Sequence, residues 1–168
     1  TVFMTPKAGH KYGLTLMIAD KNNVSSTYGQ IGAVGMFQLS QQLNLELRSA
    51  IGVFSHADLD WISAGAGLHW NASDTTQIYG HYDLAEFDEL TFDALSHEIT
   101  LGLRTQITGS PVSMFFEASQ DWLSGANGTA KNREIRAGVS ILLGRHANKQ
   151  PRFRLNDPIA PLLRRGLF

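Results

Sequence analysis

The residues of this chain best suited to proton transfer or metal binding are its six histidines and the carboxylates near them. Ser55, His56, Asp58 and Asp60 fall in one short stretch, and a serine, a histidine and a carboxylate held together can act as nucleophile, base and orienting group. Neighbours on an extended strand point to opposite faces, so Ser55 and His56 meet only where the chain turns. A solvated loop is the competing reading. Ser96, His97 and Glu98 are adjacent as well, but a strand sets Ser96 and Glu98 on one face and His97 on the other, which defeats a triad. His81 and Asp83 are two apart and share a face, with His69 a candidate for the same side. They suit a proton-responsive pair or a metal site, yet a metal needs three or four converging ligands and no spacing here specifies them. A hydrogen-bonded network is the simpler expectation, with no metal and no cofactor. Cysteine is absent, which removes thiolate ligands and a cysteine nucleophile.

The elements that must carry these residues are strands. Helical periodicity is hard to find before residue 145, whereas period-two alternation recurs. Leu43, Leu45, Leu47, Ser49, Ile51 and Val53 share one face, with Asn44, Glu46, Arg48, Ala50 and Gly52 on the other. Ile135, Ala137, Val139, Ile141 and Leu143 oppose Glu134, Arg136, Gly138, Ser140 and Leu142 in the same way. Leu95, Ile99, Leu101, Leu103 and Ile107 oppose Ser96, Glu98, Thr100, Gly102, Arg104 and Gln106. Further candidates at 10–19, 29–39, 59–70, 76–86 and 112–122 bring the expectation to eight strands, each about as long as a tilted membrane strand.

Composition narrows the class. The chain has 168 residues, enough for one domain or one small barrel, and only 17% are charged, against roughly 25% in an average soluble domain. No stretch approaches the roughly 20 apolar residues of a spanning helix, so a helical membrane protein is excluded. Net charge is −1, which argues against general nucleic-acid affinity. Short turns are expected at 40–42, 71–75 and 108–111 on one side, and generally longer loops at 20–28, 54–58, 87–91 and 124–131 on the other, the outer-membrane arrangement. The charged face holds Glu46, Arg48, His69, His81, Asp83, Glu98, Arg104, Glu117, Asp121, Glu134 and Arg136. Both signs occur on it and few charges occur on the apolar face, which favours charges inward and apolar residues outward. A soluble lipocalin-like barrel with the faces reversed stays open as an alternative. Trp70, Trp122, Tyr28 and Phe37 are candidates for interfacial girdles.

The last strand, from Arg136 through Leu143, alternates a polar residue and glycine with hydrophobic residues and resembles the assembly signal in the final strand of outer-membrane barrels. It ends in Leu143 rather than an aromatic residue, and residues follow it. In strand number and order, residues 1–144 resemble the small barrels of the OmpA and OmpX type. That resemblance implies an all-β fold, an eight-stranded antiparallel transmembrane up-and-down barrel, located in a bacterial outer membrane and contacting its lipid. Some small barrels of this kind act on lipid A, which keeps an enzyme built around His56 as an alternative, beside a narrow pore and the last part of an autotransporter-type barrel.

Residues 145–168 form a chemically different segment, with six basic residues against Asp157, a net +5 that leaves −6 for the rest. Arg152, Phe153, Arg154, Leu162, Leu163, Arg164, Arg165 and Phe168 interleave charge and apolar surface among prolines, a composition suited to docking on a periplasmic or membrane protein. The leading expectation is therefore a non-enzymatic anchor or scaffold. Its interior would be filled by Glu46, Arg48, His81, Asp83, Glu98, Arg104, Glu117, Glu134 and Arg136, and its tail would bind a partner.

Overall fold

A computed structural model describes residues 1–21, 26–55, 59–89, 92–125, 128–141, 153–154 and 157–159. Among them there is no helix, and nine strands follow one another in a single antiparallel up-and-down sheet: β1 (Val2–Lys7), β2 (His10–Lys21), β3 (Ser26–Gln38), β4 (Leu43–Phe54), β5 (Leu59–Asn71), β6 (Thr76–Glu89), β7 (Phe92–Gln106), β8 (Val112–Gly125) and β9 (Gly128–Ile141). Each strand pairs with the next in sequence, so every connection is a hairpin. Gly9 and Gly109 take φ of 80° and 74° in two of the turns, a left-handed conformation that other residues adopt only under strain.

Three expectations are corrected. The sheet has nine strands, not eight, because Val2–Lys7 adds an edge to β2. That strand lacks alternation and carries Pro6, which an edge tolerates because it needs no donor there. Its pairing also slips register between Met4 and Lys7. Second, β1 and β9 are the two edges and do not pair with each other, so the sheet is not a closed barrel. Third, the four connections at 22–25, 55–58, 90–91 and 126–127 are no longer than those on the opposite side. The backbone ladder runs past the apolar band to pairs such as Lys21 with Ser26 and Gly125 with Gly128. Ladder bonds depend on the backbone, so polar loop-like composition does not end them.

The two faces differ completely. On β4, Asn44, Glu46, Gly52 and Phe54 are buried while Leu47, Ile51 and Val53 are exposed. The same alternation places Leu14, Leu16, Ile18, Ile62, Leu101, Phe116, Ile135 and Val139 on the exposed face. The sheet curls around its covered face. Residues from β4 through β8 meet in one apolar cluster of Phe54, Leu59, Trp61, Ala85, Phe87, Ala94 and Leu123, packed with Ile159 from beyond the last strand. This cluster lies at the end of the sheet near Ser55; a polar zone occupies the interior toward the Ser40 end.

Candidate functional site

The polar zone begins with Arg48 on β4. Its Nη2 and Nε donate to Asp83 Oδ1 on β6 at 2.7 and 3.3 Å, and its Nη1 lies 3.0 Å from Glu46 Oε1. Nη1 also donates to His81 Nδ1 at 3.1 Å. A guanidinium cannot accept a hydrogen bond, so that nitrogen of His81 carries no proton. His69 completes the group, with Nε2 donating to Glu46 Oε2 at 2.7 Å. Glu46 has no exposed surface, and Arg48, Asp83 and His69 are nearly as enclosed. Removing one partner of such a buried set leaves its counter-charge uncompensated, at a cost of about 3–5 kcal/mol.

Glycines make room for these side chains. Gly65 stands opposite Asp83 and Gly67 opposite His81 across β5 and β6, and a Cβ on either would collide with that partner side chain. The pairs Gly52 with Trp61, Gly102 with Tyr79 and Gly138 with Phe115 repeat the device on other strands. A bare backbone on one strand thus seats a large inward side chain on the next.

Toward β8 and β9 the network continues. Tyr79 donates its hydroxyl to Glu117 at 2.7 Å, Arg136 lies 3.1 Å from Glu117 and 3.7 Å from Glu134, and the Arg104 guanidinium lies 5.6 Å from the Tyr79 ring centroid. Asp121 accepts from Asn132. Of the residues expected inside, Glu46, Arg48, His81 and Asp83 gather in one cluster. Glu117, Glu134 and Arg136 form a second, more open one, and Glu98 belongs to neither.

Glu98 is held instead by the tail. Arg154 Nη2 donates to Glu98 Oε1 at 2.7 Å, the same oxygen that accepts from Thr100, and the Arg154 backbone N–H donates to Glu46 Oε1 at 3.0 Å. The Tyr28 hydroxyl donates to Asp157 at 3.2 Å, Phe153 packs edge-on to Phe3, and Ile159 is fully buried in the apolar cluster. Phe153 and Arg154, expected from composition to recognise a partner protein, are thus held by the chain's own strands. The inner face offers them paired carboxylates and aromatic rings that water would not. Arg152, Leu162, Leu163, Arg164, Arg165 and Phe168 lie outside the described residues.

The histidine readings resolve by face. His97 points away from the interior, stacked on Trp122 and bonded to the Tyr82 hydroxyl, while Ser96 is buried on the other side. His56 and Asp58 lie outside the described residues. Ser55 Oγ accepts the Thr27 N–H. Tyr28, expected in an interfacial girdle, faces inward against Phe54, whereas Trp70 is exposed on the outer face. Glu46, His69 and His81 bring ligand atoms within 4.8 Å of one another, but Arg48 donates to two of the three. A cation there would face that fixed positive charge, and the trio is better described as part of the ion-pair set. Sequence reasoning missed Tyr79, which shares the alternating face of His81 and Asp83, and the inward course of the tail.

No protein-family model matches the chain, and no curated protein or solved structure matches it.

Proposed function

We propose that this chain is a transmembrane β-barrel of a bacterial outer membrane, serving as an anchor or scaffold, with an interior filled by ion pairs and by its own C-terminal segment. The observation behind the reading is the exchange of faces. Glu46 is 0% exposed while Ile51 on the same strand is 59% exposed. A soluble sheet hides its apolar face, because exposing it to water costs about 25 cal/mol per Å²; hydrocarbon removes that cost. On β2 to β9 the charged residues exposed on the outer face are Asp20, Asp60, Glu86, Asp93, Lys131 and Arg133, each in the half of its strand toward the Ser55 end. The band between them and the Ser40 turns holds no Asp, Glu, Lys or Arg on β2 to β9 among the described residues, as a lipid-facing belt requires. Strands β2 to β9 run 12 to 15 residues, longer than the roughly 9–11 a tilted crossing needs.

A bilayer tolerates no unpaired strand edge. Eight antiparallel steps separate β1 from β9, so they run in the same direction. Our reading of the closed form sets β9 on the edge of β2 in place of the six-residue β1, giving an eight-stranded antiparallel barrel. The test is gel mobility of detergent-extracted protein before and after heating, together with membrane fractionation. A heat-dependent shift in protein from the outer-membrane fraction is expected. Protein that stays in buffer without detergent and shows no shift would sink the reading and make the charged face the solvent side.

A further inference from the structure

Asp83 and Glu98 stand directly opposite each other on β6 and β7. Like charges in that position repel, and each needs its own cation. Arg48 serves Asp83 from within the wall, but Glu98 receives its cation from Arg154, outside the sheet. Among the described residues Asp83 Oδ2 has no hydrogen-bond partner, though the residue is only 3% exposed. The wall at this level therefore presents more carboxylate than it can neutralise alone. The same segment makes an apolar seal further along: Ile159, fully buried, packs in one cluster with Phe54, Leu59, Trp61, Phe87 and Leu123. Between the two in sequence, Asp157 accepts a hydrogen bond from the Tyr28 hydroxyl.

We propose that the part of the chain carrying Arg154 and Ile159 is a displaceable plug, and that withdrawing it opens a passage for small inorganic cations past Glu98. The inference rests on the barrel reading. With Arg154 seated, its guanidinium occupies the position a permeating cation would take beside Glu98, and Ile159 fills the apolar cluster. With both withdrawn, Glu98 keeps among the described residues only the Thr100 hydroxyl as partner, and its carboxylate favours cations over anions. Tethering to β9 gives the segment a high local concentration at its seat, so the closed form dominates at rest.

The test uses the full chain in planar lipid bilayers under a potassium chloride gradient. Arg154→Glu sets a carboxylate against Glu98 and Glu46, and Ile159→Asp puts a charge in the apolar cluster. Either should convert a silent protein into one with discrete openings whose reversal potential shifts toward that of potassium. Glu98→Arg combined with Arg154→Glu re-forms the pair with its charges exchanged and should restore silence. Heat-dependent gel mobility of each variant separates the two proposals, since a wild-type chain without the shift overturns the barrel reading itself. If one single variant fails to fold, the other decides. Folded variants as silent as the wild type, openings that favour chloride, or a wild type that conducts as well as its variants would each overturn the plug.

Discussion

Asp83 and Glu98 are register partners on adjacent strands, yet they are neutralised from different parts of the chain, Asp83 by Arg48 on β4 and Glu98 by Arg154 beyond β9. The interior is thus assembled from wall and tail together.

Arg48→Ala should destabilise the folded state by about 3–5 kcal/mol, because Glu46 and Asp83 would stay buried without their cation. Urea unfolding in detergent or lipid measures it. Arg48→Lys should recover only part of the loss, since one ammonium cannot reach Glu46, His81 and Asp83 in the planar fork that a guanidinium offers. Full recovery by lysine would mean that charge alone matters there.

Gly65→Ala should displace the Asp83 carboxylate from Arg48, because the added methyl takes the space that side chain fills. The expected cost is about 1–3 kcal/mol, the range for overpacking. Ala66→Gly, next along β5 but exposed on the outer face, should cost about 0.5–1 kcal/mol from backbone freedom. Equal losses at both positions would show that the seat under Asp83 is unimportant.

Ile51→Arg and Leu101→Arg place a charge in the exposed apolar band. Refolding yield and stability in lipid vesicles should fall by about 2–4 kcal/mol if that band meets the hydrocarbon midplane. The same substitutions would leave stability almost unchanged, or improve solubility, in a protein whose outer face meets water.

The chain has no cysteine, so paired cysteines report closure without background. Placing one at Leu14 or Leu16 on β2 and the other at Ile135 or Val139 on β9 should give a cross-linked species in membranes if β9 closes on β2. Cross-linking of β9 to Val2→Cys or Met4→Cys, the outward positions of β1, with none to β2, would instead place β1 in the closing seam.

Much of the sheet was legible because alternation is a local property. Each of the eight expected strands is present, and Glu46, Arg48, His81 and Asp83 were placed on one face by parity alone. What alternation could not supply was the position of anything outside the pattern. The bond from Tyr28 to Asp157 joins residues 129 positions apart, and that from Arg154 to Glu46 spans 108. Neither segment near the tail has a period that would announce such partners. Tyr28 was misplaced because an aromatic residue near a strand end suits an interface as well as an interior, and parity decides between them only once the register is known. The first strand was missed for a related reason, since an edge with Pro6 and no buried face leaves no hydropathy signature.

Ile159 shares its cluster with side chains from five successive strands, β4 to β8, and this bears on biogenesis. A ribosome makes Ile159 after every strand of that cluster, so in the barrel proposed above it must be gathered in while the sheet is still open. A machine inserting such a barrel would have to hold the seam apart until Ile159 has arrived, and a bulky domain fused after it should stall that step.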